Sequence, residues 1–126
     1  KRERDRDYTQ IAEILRNIDA GKYESEQSLQ LIDRLKQEIF PIVSKIHYDK
    51  GHKLYSNYKY EEALDELFLA YNYDQTNVDA IYFIARSYHR LEDYESARTY
   101  YEMIVNDFSD SRRYQNAAEF LESLPE

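Results

Sequence analysis

Two sets of side chains stand out by residue type and spacing. Lys45, Tyr48, Asp49, His52 and Tyr55 recur at three- and four-residue intervals, and so do Asp79, Tyr82, Phe83, Arg86, His89 and Arg90. On an α-helix such intervals place each set along one face. Aromatic rings and Arg are the types enriched at binding hot spots, because they cover large areas while losing few rotamers. Tyr48, Tyr82, Phe83 and Arg86 are therefore the first candidates for contact with a partner. Helix–helix packing uses the same aromatic stripes, so recognition and packing are both open readings of these rings.

Other chemistries find less support. His52 and His89, with Asp49 near the first, raise the question of zinc, but no paired histidine spacing or acidic loop accompanies them. Partly exposed surface histidines are the expected reading, with no metal and no cofactor. The chain has no cysteine, which excludes thiolate ligands and nucleophiles. It carries no Gly-rich phosphate loop, nucleophile elbow or metalloprotease helix motif. The acid pairs Glu61–Glu62 and Glu24–Glu26 fall near helix starts, where carboxylates complement the helix dipole. An enzyme is not expected.

Charge narrows the partners. A formal charge of −8 argues against nucleic acid, whose phosphates call for clustered Lys and Arg. No run of about 18 apolar residues is present, so direct membrane insertion of this fragment is not expected. The opening run Lys1-Arg2-Glu3-Arg4-Asp5-Arg6-Asp7 interleaves its cations with acids and reads as a solvated helix start rather than a lipid-binding patch.

The elements that position these residues follow from periodicity. Two glycines and two prolines punctuate 126 residues, while Leu, Ile, Ala, Glu, Lys and Arg recur at helical spacing. A shift of 34 residues brings Tyr48 onto Tyr82, Gly51 onto Ala85, Leu54 onto Tyr88, Tyr60 onto Tyr94, Ala63 onto Ala97, Leu67 onto Tyr101 and Ala70 onto Ile104. Small matches small and large apolar matches large. Gly51 and Ala85 lie mid-helix, where a minimal side chain lets a partner helix approach, and Ala63 and Ala97 do the same from a second helix. Tyr60 and Tyr94 are expected to open those second helices after polar turns, with Asp93 as an N-cap and Lys59 as a poor one.

The fragments Tyr58-Lys59-Tyr60-Glu61-Glu62-Ala63-Leu64 and Glu92-Asp93-Tyr94-Glu95-Ser96-Ala97-Arg98 resemble the tetratricopeptide repeat, which places a small residue in its first helix and an aromatic and an alanine at the start of its second. His47 and Ile81 stand where that pattern prefers tryptophan, and Gln75 and Ser109 replace its closing proline. The resemblance implies an all-α fold, a short α-solenoid of antiparallel helical hairpins, with repeats at 44–77 and 78–111. It also implies that the first helices line a concave groove. The groove side chains would be Lys45, Tyr48, Asp49, His52, Tyr55, Asp79, Tyr82, Phe83, Arg86, His89 and Arg90. Some members of the family clamp a chaperone's C-terminal carboxylate with lysine and asparagine. Tyr48, His52 and Phe83 occupy those places here, so that ligand is not expected, although Arg86 and Arg90 suit another carboxylate.

The flanks complete one domain over residues 1–126. Ile11, Ile14, Leu15 and Ile18 mark an amphipathic helix over 8–19, Gly21-Lys22-Tyr23 a turn, and Leu29, Ile32, Leu35 and Ile39 a second helix. Pro41 should end that helix or sit in the first turn of the next. Residues 8–40 thus read as a diverged hairpin, with a coiled-coil stub as the alternative. A capping helix is expected over 110–122, covering the second repeat with Ala117, Ala118 and Leu121. The tyrosine-rich stretch Tyr101 to Ser111 further resembles repeats of bacterial membrane-anchored or envelope proteins of Gram-positive type. That implies a fragment of an anchored protein at the extracytoplasmic face. The expected function is an adaptor or scaffold that binds a protein or peptide in the groove; the alternative is self-assembly into a homo-oligomer.

Overall fold

The computed structural model describes residues 2–22 and 25–126. Lys1 of the basic start, Tyr23 of the expected turn and Glu24 of the expected acid pair lie outside the described residues. Helices are α1 (Arg2–Asn17), α2 (Glu26–Ser56), α3 (Tyr60–Tyr73), α4 (Val78–Arg90), α5 (Tyr94–Asp107) and α6 (Tyr114–Ser123), with a 3₁₀ turn at Ala20–Lys22. Each packs on its neighbour in sequence, and α2 also touches α4, so the described residues form an all-helical solenoid with no strand.

The repeat half is built where small residues permit close approach. A Cβ added to Gly51 would lie 2.7 Å from Leu67 Cγ, so α2 and α3 meet at a distance that admits only glycine without a shift. Ala63, Ala85 and Ala97 are fully buried for the same reason, in one core with Leu67, Ile81, Ile84, Tyr101 and Ile104. Asp93 caps α5 by accepting from the Ser96 amide, whereas Lys59 makes no side-chain cap. Asn77 caps α4 through the Ala80 amide, and its Nδ2 donates to buried Ser44 Oγ, which donates to the Ala70 carbonyl. One polar relay therefore ties the starts of α4 and the repeat half of α2 to the end of α3.

The N-terminal side departs from expectation at Pro41. It neither ends a helix nor opens one: α2 runs unbroken for 31 residues, with Pro41 in its interior. An interior proline removes one backbone hydrogen bond and costs about 3 kcal/mol or more. Pro41 and Gln37, whose carbonyl loses its partner, both face solvent. On the opposite side Ile39, Phe40 and Val43 pack with Tyr8 and Ala12 of α1 and Tyr73 of α3, holding both sides of the proline in line. The second arm of the N-terminal hairpin thus continues into the first helix of the following repeat. The first arm, α1, begins at Arg2 and ends at Asn17, so the mixed-charge start is helical. Arg6 and Thr9 of α1 lie near Lys50, while Arg16 covers the Tyr73 ring, so α1 runs antiparallel to α2.

The last helix begins at Tyr114 rather than at 110. Residues 109–113 turn instead, with Ser111 N bonded to Phe108 O and Tyr114 N to Ser111 O, because Arg112 and Arg113 are held back against Asp79.

Candidate functional site

The face formed by α4 divides into a packed part and an open part. Tyr82 and Phe83 are 6% and 9% exposed. Phe83 lies among Tyr48, His52, Tyr55 and Tyr82, with ring centroids at 6.1, 4.7, 5.0 and 5.1 Å. Arg113 closes over this cluster at 4.7 Å from the Tyr82 ring and 5.1 Å from Phe83. Burial raises the hydroxyl pKa of Tyr48 and of Tyr82, so both stay neutral donors. Toward the rim, Lys45 and Asp49 are exposed and pair with each other at 3.1 Å.

The open part lies at the C-terminal end of α4. Arg86, His89 and Arg90 face a cleft of ≈ 510 Å³, walled by Tyr60 of α3, Tyr94 of α5 and Phe120 of α6, with Glu92 at its edge. Phe120 carries the Arg86 guanidinium 4.0 Å from its centroid and stacks on Tyr101, whose hydroxyl is in turn 3.4 Å from Arg86 Nη1. Arg90 Nε donates to Tyr60 Oη at 3.0 Å, with its guanidinium 5.6 Å from that ring. Guanidinium is always a donor, so His89 Nδ1, at 3.2 Å from Arg86 Nη1, accepts; the Tyr101 hydroxyl donates to the same nitrogen at 2.9 Å. Burial lowers the His89 pKa and the charges of Arg86 and Arg90 lower it further, which keeps the imidazole neutral. Burial pushes the Tyr101 hydroxyl up to about 12, against the opposing pull of Arg86.

A family model for the tetratricopeptide repeat matches residues 54–123. The chain belongs to the tetratricopeptide repeat family. No curated protein and no solved structure matches it. The tetratricopeptide match spans α3 to α6 with the end of α2; it contains every residue lining the cleft, and Tyr55, Tyr82 and Phe83 of the packed cluster, while Tyr48 and His52 precede it. At the pattern's tryptophan places His47 stacks parallel to Tyr73 and bonds Glu66 at 2.9 Å, and Ile81 is fully buried.

Of the residues chosen by helical spacing, Arg86, His89 and Arg90 come together in the cleft, Tyr48, His52, Tyr55, Tyr82 and Phe83 pack together, and Lys45 and Asp49 stand apart at the rim. His52 meets Phe83 edge-on while His89 binds Tyr101, so the two histidines serve different surroundings, and Asp49 turns to Lys45. Among the described residues no three His, Asp or Glu side chains converge as metal ligands would. Spacing missed Tyr60, Tyr94 and Phe120 as cleft walls and Tyr101 as the buried partner of Arg86 and His89. Tyr60 and Tyr94 carried a signal as the paired aromatics opening each second helix; Phe120 carried none. No described helix is long and apolar enough to cross a membrane.

Proposed function

We propose that the chain is an adaptor or scaffold module that holds a segment of a partner polypeptide in the cleft of Arg86, His89, Arg90, Tyr60, Tyr94 and Phe120. Tetratricopeptide repeats mediate protein–protein interaction, typically without catalysis. The observation that carries the reading is the cleft itself. It joins solvent-reachable guanidinium groups to three aromatic walls, which is the composition that concentrates binding energy at interfaces. Tyr82 and Phe83, packed under Arg113, act as the rigid floor that orients α4 rather than as contacts.

Site-specific photo-crosslinking tests this. A photoreactive phenylalanine analogue at position 94, in the cleft wall, should capture one discrete partner segment from the native lysate. The same group at Glu102, exposed on α5, should not. Equal capture from both positions would remove the cleft as the binding surface.

A second reading, assembly of the module with its own copies, is favoured by a different observation. Ile11, Ile14, Leu29, Leu31 and Ile42 are all exposed, on α1 and on α2 up to its middle. Light scattering after size exclusion decides it, since a monomer at every concentration rules assembly out, and a dimer abolished by Leu31→Glu supports it.

A further inference from the structure

We propose that the cleft recognises the carboxylates of an acidic peptide segment, with Arg86 and Arg90 as the anion-binding pair and the aromatic walls seating the residues beside them. This rests on the adaptor reading above and names the partner's chemistry.

Ion pairs hold only three of the Lys and Arg side chains among the described residues, so what marks Arg86 is its half-burial in the cleft wall. With 25 Asp and Glu against 17 Lys and Arg, carboxylates are abundant. Lys45 has Asp49, and Arg112 and Arg113 share Asp79. Arg86 and Arg90, one turn apart on α4, have no carboxylate within 4.0 Å among the described residues. Their polar contacts are the hydroxyls of Tyr101 and Tyr60 and the ring of His89. Arg86 is half-buried, and a partly desolvated cation without a counter-charge is costly. A carboxylate entering the cleft removes that cost. Glu92, the acid at the cleft's edge, bonds neither guanidinium.

The donors left over fit the same ligand. Arg90 commits Nε to Tyr60 and has no described partner on its terminal nitrogens, while Arg86 commits only Nη1. Guanidinium offers a planar fork that matches a carboxylate in bidentate fashion. The volume, ≈ 510 Å³, exceeds what one carboxylate fills, and the rings of Tyr60, Tyr94 and Phe120 give it aromatic walls. A peptide with acids beside an aromatic or aliphatic residue satisfies both features; a free small anion satisfies one.

Fluorescence anisotropy with a labelled octapeptide of core Tyr-Glu-Glu-Leu, beside its Tyr-Gln-Gln-Leu counterpart, is the test. The Glu peptide should bind about tenfold or more tightly than the Gln peptide, and added salt should narrow the gap. Arg90→Gln, at an exposed site, should lose about tenfold of the Glu-peptide affinity at an unchanged melting temperature. Absence of saturable Glu-peptide binding, or an Arg90→Gln protein that binds it as well as wild type, overturns the proposal. If the two peptides bind equally and Tyr94→Ala weakens both, the acidic preference falls while the adaptor reading stands. Displacement of the peptide by acetate or inorganic phosphate at matching concentration would instead assign the site to free anions and overturn the peptide.

Discussion

Arg113, just before α6, reaches back to Asp79 in the first turn of α4, its Nε 2.8 Å from Oδ1, while Arg112 takes Oδ2 at 3.1 Å. This fork fixes the turn that precedes α6 and so places Phe120 under Arg86. Burial pushes the Asp79 carboxyl up, but hydrogen bonds and charge from Arg113 and Arg112 outweigh it and hold the pKa below 3.8. A depressed carboxyl contributes its full stability above the unfolded pKa and loses it as pH falls through the folded value. Thermal melts across the acid range should therefore show wild type losing stability below about pH 3.8 more steeply than Asp79→Asn. At neutral pH the variant should be destabilised by about 1–2 kcal/mol, a range kept low because Asp79 and Arg112 are partly solvated. Parallel acid limbs for the two proteins would show the fork to be energetically idle.

Gly51 is a second point of leverage. Its missing Cβ leaves room for Leu67, and the contact at 2.7 Å involves the side chain's branch point, with the Leu67 backbone nitrogen at 3.2 Å behind it. Gly51→Ala adds helix propensity worth about 1 kcal/mol but forces α2 and α3 apart, an overpacking cost of about 1–3 kcal/mol. Urea denaturation should give a net loss. A gain would mean the two helices separate freely at this seam.

The two hairpin turns carry a repeated backbone feature. Tyr58 and Glu92 adopt φ of 65° and 62°, in the left-handed region, and the amides that follow them bond back to Leu54 O and Tyr88 O. A side chain in that region costs roughly 1–2 kcal/mol, which glycine avoids. Glu92 is exposed and its side chain makes no hydrogen bond among the described residues, so Glu92→Gly should raise the melting temperature. The net gain should be below the full relief, since glycine also loosens the unfolded chain. A lower melting temperature would show the carboxylate to be structurally engaged.

The repeat half was legible because one register shift tests every position twice. Tyr60 and Tyr94 open their helices as expected, Asp93 caps, and Gly51, Ala63, Ala85 and Ala97 sit at close approaches. The long α2 was hidden because Pro41 is a local breaking signal, and the packing of Phe40 and Val43 against α1 and Tyr73, which overrides it, is tertiary. The cleft was half legible. Periodicity on one helix names Arg86, His89 and Arg90, but Tyr60 arrives from the preceding hairpin and Phe120 from a helix outside the repeat register. Spacing also does not separate Tyr82 and Phe83, which pack inward, from Arg86, which remains reachable.

Pro41 itself makes a sharp test. If α2 is continuous because its flanks are held in place, Pro41→Ala restores the hydrogen bond to the Gln37 carbonyl without moving either flank. The protein should then gain about 1–3 kcal/mol in chemical denaturation, with unchanged helical content by circular dichroism. A loss of stability, or a change in helicity, would mean that the proline sets the geometry of α2 instead of being tolerated by it.

His89 reports on the cleft from inside. Its pKa is lowered from 6.5 by burial and then by Arg86 and Arg90, and its Nδ1 already accepts from Tyr101 and Arg86. A histidine with a depressed folded pKa contributes stability that is complete above the unfolded value and is lost as pH falls through about 6.5 toward the folded one. Protonation would set a third cation between two guanidiniums and convert Nδ1 from acceptor to donor. NMR titration of the ring should therefore give a midpoint below 6.5 in the free protein, moving upward in Arg90→Gln as one repelling charge is removed. A carboxylate seated between the guanidiniums should move it in the same direction, so saturation with the Glu peptide and neutralisation of Arg90 act alike on this one group. A His89 midpoint that ignores both would place Arg90 and the peptide outside the field of the ring, and the cleft would not be the electrostatic unit described.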